Sequence, residues 1–425
     1  MAKTPVRKKQ LSNKKDVTNK KESAPSIKTA ASNKDARILA EEVLSHDGKH
    51  KIGIMTLNSA KTMNAVDLEM VNLIDDVLAK WQDDDDIVAM VMHGAGDKAF
   101  CAGGDIRKLY DSMVIEGDDH LNYADDFFTA EYGKNYRVHR FGKPIIAWGH
   151  GFVMGGGLGL FIGSSHKVGT ETLKLAWPEI RIGLFPDVAG SYYLSRLPFP
   201  LGHWMALTGS QMNAVDCKHA GLINYCLGNS DLPKVIEQLR HQPWQSNKAM
   251  NNQYVRDLLT SIEQQSDTSF PPSNYADNKA DIESLFAAAS GSTHKLQNHV
   301  VSINDNKLLL EKVAENFAKS ESENPWFIQG RDNFYGGCPG TAHLIMQQLL
   351  LGPNMTLKDV VQWELILALQ SVRHPDFAEG IRAMVVDKDF TPHWQHKSVA
   401  DVPLEWIEGL MKPLWPEGEH PFKAL

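Results

Sequence analysis

Residues 144–163 read PIIAWGHGFVMGGGLGLFIG, twenty positions without a charge. The length would suit a membrane span. Seven glycines and a histidine, however, interrupt the continuous Leu, Ile and Val that a lipid-facing helix needs. The composition predicts instead a buried strand that turns, through Gly155-Gly156-Gly157, into a close-packed helix. Glycine at such a turn lets the backbone approach a ligand closely. Free N–H groups at a helix start also favour an anion or a developing oxyanion. Upstream, Ala99-Phe-Cys-Ala-Gly103-Gly104-Asp105 has the same character. One glycine pair alone reads as an ordinary tight turn, but two after consecutive strands can supply a pair of donors.

Working outward, Lys51–Leu57 (KIGIMTL) and Ile87–His93 (IVAMVMH) read as buried strands. Between them Val66, Met70, Leu73, Ile74, Val77, Leu78 and Trp81 fall at helical spacing, with Asn64 and Asp67 resembling a capping pair at the helix start. Further strands at Lys143–Trp148 and His166–Gly169 make residues 35–240 a layered α/β unit. From 241 to 300 Gln, Asn and Ser dominate around Pro271-Pro272. That change marks a boundary to a mostly helical part, 241–425, with runs at Lys307–Ala318, His343–Leu351 and Leu357–Val372. Phe377–Val385 reads as a last helix packing back on the first part. No repeat of 20 to 50 residues is present.

The 425 residues, 42% apolar and 23% charged, allow two to three domains or one large one, and exclude wholesale disorder, collagen and coiled coil. The formal charge of −8 gives no global attraction to nucleic acid or anionic lipid. It is strongly polarised, since residues 1–34 carry ten Lys/Arg against Asp16 and Glu22, a charge of +8, which leaves −16 for residues 35–425. This tail is too polar to order itself. It reads as a solvated leader, with a nucleic-acid arm or a Lys-rich transit peptide as alternatives. No apolar signal region begins the chain. Cys101, Cys217, Cys226 and Cys338 lie far apart without a C-x-x-C, which predicts reduced thiols and neither a disulfide framework nor a thiolate metal cage. No metal or redox cofactor is implied. A lone histidine such as His150 reads as a packed or surface residue.

A third cluster is Trp177-Pro-Glu179-Ile-Arg-Ile-Gly183-Leu-Phe-Pro-Asp187-Val-Ala-Gly190, where two carboxylates sit among apolar residues. Partial burial would raise their proton affinity and suit them to proton transfer near neutral pH. Alternatively Asp187, after Pro186, caps a helix, and Glu179 is a plain surface acid. A dinucleotide fingerprint fails at Leu160, where its third glycine would stand, and no P-loop, G-x-S-x-G or H-E-x-x-H is present.

In their order, KTMNAV (61–66), KAFCAGGDI (98–106), GFVMGGGLGL (151–160), WPEIRIGLFPDVAGSY (177–192) and LTG (207–209) resemble the enoyl-CoA hydratase/isomerase, or crotonase, superfamily. Within it they are most similar to the 3-hydroxyisobutyryl-CoA hydrolase subgroup, whose own ending HPDFAEGIRAMVVDKDFTPHW (374–394) resembles. The resemblance implies a fold of stacked ββα turns binding a coenzyme A thioester, the coenzyme being part of the substrate. It implies an oxyanion hole from the N–H groups of Gly104 and Gly156, with Ala65 and Ala102 along the coenzyme path and Glu131 as a substrate contact. Hydratases of the superfamily carry a glutamate where this chain has Gly159, and a glycine where it has Asp187. The departure favours hydrolysis, with Glu179 as base or nucleophile and Asp187 binding a 3-hydroxyl or protonating the leaving thiolate. The resemblance also leaves open an enoyl-CoA hydratase or isomerase, an RNA-binding member of the same fold, a trimeric or hexameric assembly, and either a bacterial cytoplasm or a mitochondrial matrix.

Overall fold

The computed structural model describes residues 35–115, 121–287 and 302–425, so the basic tail at 1–34 lies outside the described residues. Nine strands form two sheets among the described residues: β1 Ile38–Leu44, β2 Lys51–Leu57, β3 Ile87–Gly94, β4 Ala99–Cys101, β5 Ile145–Gly149, β6 Phe152–Met154, β7 His166–Gly169, β8 Lys174–Ala176 and β9 Tyr225–Cys226. The larger sheet has the order β1-β2-β3-β5-β7-β9, and the smaller is β4-β6-β8. Only β1 and β2 pair antiparallel, with Ile38 opposite Leu57; the other pairings are parallel. Successive units therefore send one strand to each sheet and then a helical segment: β3, β4 and helix Ile106–Val114; β5, β6 and helix Gly155–Ile162; β7, β8 and the 3-10 turn Glu179–Ile182.

The parallel strands β2, β3 and β5 are mostly apolar because both faces of the large sheet are covered. β3 buries seven of its eight residues, whereas the edge strand β1 exposes part of its outer face. One face carries Ile52, Ile54, Val91, Ile146, Trp148 and Val168 into a cluster closed by helices Leu232–Arg240 and Lys248–Gln265. The polar stretch after 241 thus holds a helix whose Val255, Leu259 and Ile262 recur at helical spacing and pack on the sheet, while its Gln and Asn residues face mostly outward.

The first long helix runs Leu68–Asp83, capped by Asp67, which accepts the Met70 N–H at 3.0 Å. Asn64 takes no part in that cap. It is buried with φ +57°, accepts the Ser59 N–H at 2.9 Å and donates to the carbonyls of Ala95 and Ala99. Its amide ties the loop before the helix to the start of β4, a tertiary role that local spacing does not reveal.

The C-terminal part is helical, with helices Ile303–Lys319, Pro325–Gly336, Pro339–Leu351 and Leu357–Val372. Helix Leu357–Val372 lies against helix Asn122–Arg140, joined by the paired hydrogen bonds from Arg373 to Asp125 at 2.9 and 2.7 Å. The segment expected as a last helix is α-helical over Pro375–Ile381 and widens into a π turn over Arg382–Val386. It packs on Ile106–Val114 and on the Glu179 turn, and helix Leu404–Leu410 follows it. The run 144–163 forms β5, β6 and a glycine-rich helix, and no helix among the described residues is long and apolar enough to cross a membrane. All four cysteines are free thiols.

Candidate active site

The smaller sheet decides where chemistry can occur. The segments that follow β4, β6 and β8 contribute Ala102–Gly104, Met154–Gly156 and Pro178, Glu179, Arg181 and Ile182 to one cavity of about 310 Å³. Helix Asn122–Arg140 adds Phe127, Phe128 and Glu131, the following loop adds Leu184 and Asp187, and the C-terminal part adds Phe377, Met384 and Phe390. That last group is held in place by Arg382, whose guanidinium binds Glu379, Asp387 and Asp389 together.

Two glycine backbones lie side by side in the lining of this cavity. The bridge between Val66 and Gly104 uses the N–H groups of Val66 and Asp105, which leaves that of Gly104 outside the pairing. Gly156 lies in the first turn of helix Gly155–Ile162, where N–H groups have no intrahelical acceptor. A Cβ placed on Gly156 would meet the Gly104 nitrogen at 3.4 Å and Glu131 Oε1 at 2.0 Å. Position 156, the Gly104 nitrogen and the Glu131 carboxylate thus lie together in one part of the cavity.

The carboxylates are all buried. Glu179 opens the 3-10 turn after β8, and its Oε1 would lie 3.6 Å from a Cβ on Gly155. Burial, reinforced by Asp187 and Glu364, raises its proton affinity well above the usual range. Asp187 is raised likewise by burial and by Glu131 and Glu364, even though the Tyr132 hydroxyl donates to its Oδ2 at 2.9 Å. Burial pushes Glu131 up to about 7, a rise that Lys134, three residues on, restrains. Glu131 Oε1 and Glu179 Oε2 have no hydrogen-bond partner among the described residues, so each can accept from a ligand. Buried carboxylates with raised proton affinity in an apolar cleft are the equipment of proton transfer.

The cavity therefore gathers Gly104, Gly156, Glu131, Glu179, Asp187 and Ala102. Ala65 is not part of its lining. It stands on the neighbouring segment, where the carbonyl of Met63 accepts from Ala102 and the N–H of Val66 donates to Gly103. Gly159 has no room for a side chain, because a Cβ would meet Asn135 Nδ2 at 2.4 Å and Val188 Cβ at 2.8 Å. Sequence reading missed Tyr132, the partner of Asp187, and Glu364, which accepts the Ala189 and Ser191 N–H groups. Glu364 had a legible signal, as the single acid in the apolar run Trp363–Leu369 and its neighbours. Among the described residues, His46, Glu237 and His241 form one exposed cluster of metal-ligand type, in which the two rings stack at 3.8 Å and both Nε2 atoms face Glu237 Oε1, at 3.3 and 3.2 Å.

A family model described as enoyl-CoA hydratase/isomerase matches residues 52–411. The chain belongs to the enoyl-CoA hydratase/isomerase family. Within this family it is 32% identical over 377 residues to the mitochondrial 3-hydroxyisobutyryl-CoA hydrolase of Homo sapiens, covering 88% of this chain and 89% of that one. The Gallus gallus protein of the same name is 31% identical, covering 85% of this chain and 86% of that one. Among solved structures, an enoyl-CoA hydratase from Rhodobacter sphaeroides superposes with a TM-score of 0.70 at 27% identity, over 89% of this chain and 98% of that one. A carnitinyl-CoA dehydratase from Mycobacterium thermoresistibile superposes at 0.72 and 24% identity, over 92% of this chain and 100% of that one, a likeness of fold.

Proposed function

We propose that this chain is an acyl-CoA thioester hydrolase acting on 3-hydroxyisobutyryl-CoA, or a close 3-hydroxyacyl-CoA, to give the free hydroxy acid and CoA, as in valine degradation. One observation carries the reading: Glu179 and Asp187 enter the same cavity as the backbones of Gly104 and Gly156, while position 159 has no space for a second hydratase-type glutamate. The names of the human and chicken relatives support the substrate.

In this reading the thioester carbonyl oxygen lies between the two N–H groups, which stabilise the charge that develops on it as the carbonyl carbon becomes tetrahedral. Glu179 either removes a proton from the attacking water or attacks the carbonyl itself to form a mixed anhydride that water then opens. In both routes the C–S bond breaks and the thiolate leaves. Asp187, held by Tyr132, binds the 3-hydroxyl or delivers the proton that the thiolate takes up. Glu131 contacts the acyl end, and Ala102 and Ala65 lie along the coenzyme path. Coenzyme A arrives as part of the substrate, and the chemistry calls on no separate cofactor. The reaction belongs to an aqueous compartment, a bacterial cytoplasm or a mitochondrial matrix, the latter being where the names of the vertebrate relatives put them.

Free-thiol release from 3-hydroxyisobutyryl-CoA, run beside crotonyl-CoA, acetyl-CoA and a Glu179→Gln control, tests the proposal. Rapid release from the hydroxyacyl thioester alone, lost in the control, is expected. Loss of the crotonyl-CoA double bond without thiol release would replace hydrolysis by hydration.

A further inference from the structure

The loop after Asp187 is held in an unfavourable shape. Val188 and Ala189 have φ of +52° and +71°, a region that β-branched residues avoid. Such geometry persists only where the surroundings over-determine it. Here the determinants come from two helices more than 150 residues away in sequence. From helix Leu357–Val372, Glu364 Oε2 accepts the Ala189 N–H at 2.7 Å and Oε1 accepts the Ser191 N–H at 2.8 Å. From helix Pro339–Leu351, Gln348 Nε2 donates to the Pro186 carbonyl at 2.7 Å and to Ser191 Oγ at 2.8 Å. The chain is thus gripped on both sides of Asp187, whose carboxylate Tyr132 holds from a third direction.

A buried carboxylate is costly unless its oxygens are matched by donors. Glu364 is fully buried, both its oxygens are committed to the loop, and it does not line the cavity. A local Ser or Asp could cap the short helix Gly190–Leu194 as well. Using an acid from the C-terminal helices fixes the loop to that region instead.

We propose that Glu364, seconded by Gln348, is a positioning residue that sets Asp187 and thereby couples the C-terminal helices to the hydrolytic step, a claim that rests on the functional reading above. The titratable groups around Asp187 are Glu131, Tyr132 and Lys134 from helix Asn122–Arg140, Glu179 from the preceding turn, and Glu364 itself. A negative Glu364 raises the proton affinity of both Glu179 and Asp187.

The test is Glu364→Gln in the full chain, which keeps the shape but loses the charge and one of the two acceptors. A displacement of about 1 Å in a reacting group can cost 10²-fold in rate. Accordingly, kcat for thiol release is expected to fall about 10²-fold with KM changed less than about threefold. The acid limb of kcat/KM should move to lower pH, and a crystal structure of the variant should show the Asp187 carboxylate displaced. A kcat within twofold of wild type, or an unmoved Asp187, overturns the proposal. A wild-type protein that releases no thiol sinks the functional reading instead, and the crystallographic position of Asp187 in Glu364→Gln then decides the positioning claim alone. Should that variant not fold, Gln348→Ala takes its place with the same readouts. A fall of about tenfold supports the proposal there, and unchanged kcat with an unmoved Pro186–Ser191 loop overturns it.

Discussion

The two halves of the cavity are built on different principles. One half is backbone: Gly104 and Gly156 stand at the ends of β4 and β6, and the parallel pairing of those strands fixes their spacing. The other half is side chain: Glu179 and Asp187 sit on a loop with little regular structure, whose shape is imposed by Glu364, Gln348 and Tyr132. A backbone donor survives substitution of its own side chain and moves only with the sheet. A carboxylate can be traded at one position and supplied at another. Under the proposed function, such a division would let the backbone donors stay fixed while the side-chain chemistry beside them is altered.

The comparison breaks first at Gly156. Gly156→Ala keeps its own N–H but drives a methyl against Glu131 Oε1 and next to the Gly104 nitrogen, where the proposed carbonyl oxygen would sit, so kcat is expected to fall about 10²–10³-fold, as much as the loss of one oxyanion donor costs. Steady-state thiol release measures this, and an active Ala variant would mean that the carbonyl lies elsewhere. On the side-chain half, Glu179→Gln should lower turnover at least ~10²-fold while acyl-CoA binding, followed by calorimetry, stays largely intact. Asp187→Asn should have a smaller effect, narrowing the preference for a 3-hydroxyacyl over a plain acyl thioester by about tenfold, or about 1.4 kcal/mol. Unchanged selectivity would remove the proposed hydroxyl contact.

The last effect is on stability and not on rate. Burial places the Glu131 carboxyl at about 7 against an ordinary 4.5, so between those values the folded chain binds a proton that the unfolded chain does not. The contribution is full below about 4.5 and is lost as the pH rises through about 7. Buried histidines such as His139 and His203, pushed down to about 4, act in the opposite sense. They cancel when wild type is compared with Glu131→Gln. The difference in unfolding free energy should therefore shift toward the wild type as pH falls from about 7 to 5, by up to about 1.4 kcal/mol per unit.

Much of the backbone half was legible because its strands are continuous apolar runs and its glycines stand where the turns must be. The three-residue strands β4, β6 and β8 were not, being too short to show a period. The carboxylate loop was legible as residues but not as geometry. Nothing local to Asp187 announces that its neighbours take positive φ, or that the acid holding them lies in a distant helix. Asn64 illustrates the same limit, since a residue that fits a capping pattern was drawn into a long-range bond to β4.

The 3-10 turn that carries Glu179 and the helix Pro375–Ile381 touch main chain to main chain. A Cβ on Gly183 would stand 2.4 Å from the Asp376 carbonyl oxygen, and one on Gly380 would stand 2.3 Å from the Ile182 carbonyl carbon. Each glycine is the socket for the other segment. The segment that carries Glu179 and the helix Pro375–Ile381 are accordingly fitted to each other, and under the proposed function neither could be grafted onto another member of the family without the other. A chimera carrying Trp177–Gly190 alone would present an uncovered groove where the helix Pro375–Ile381 belongs.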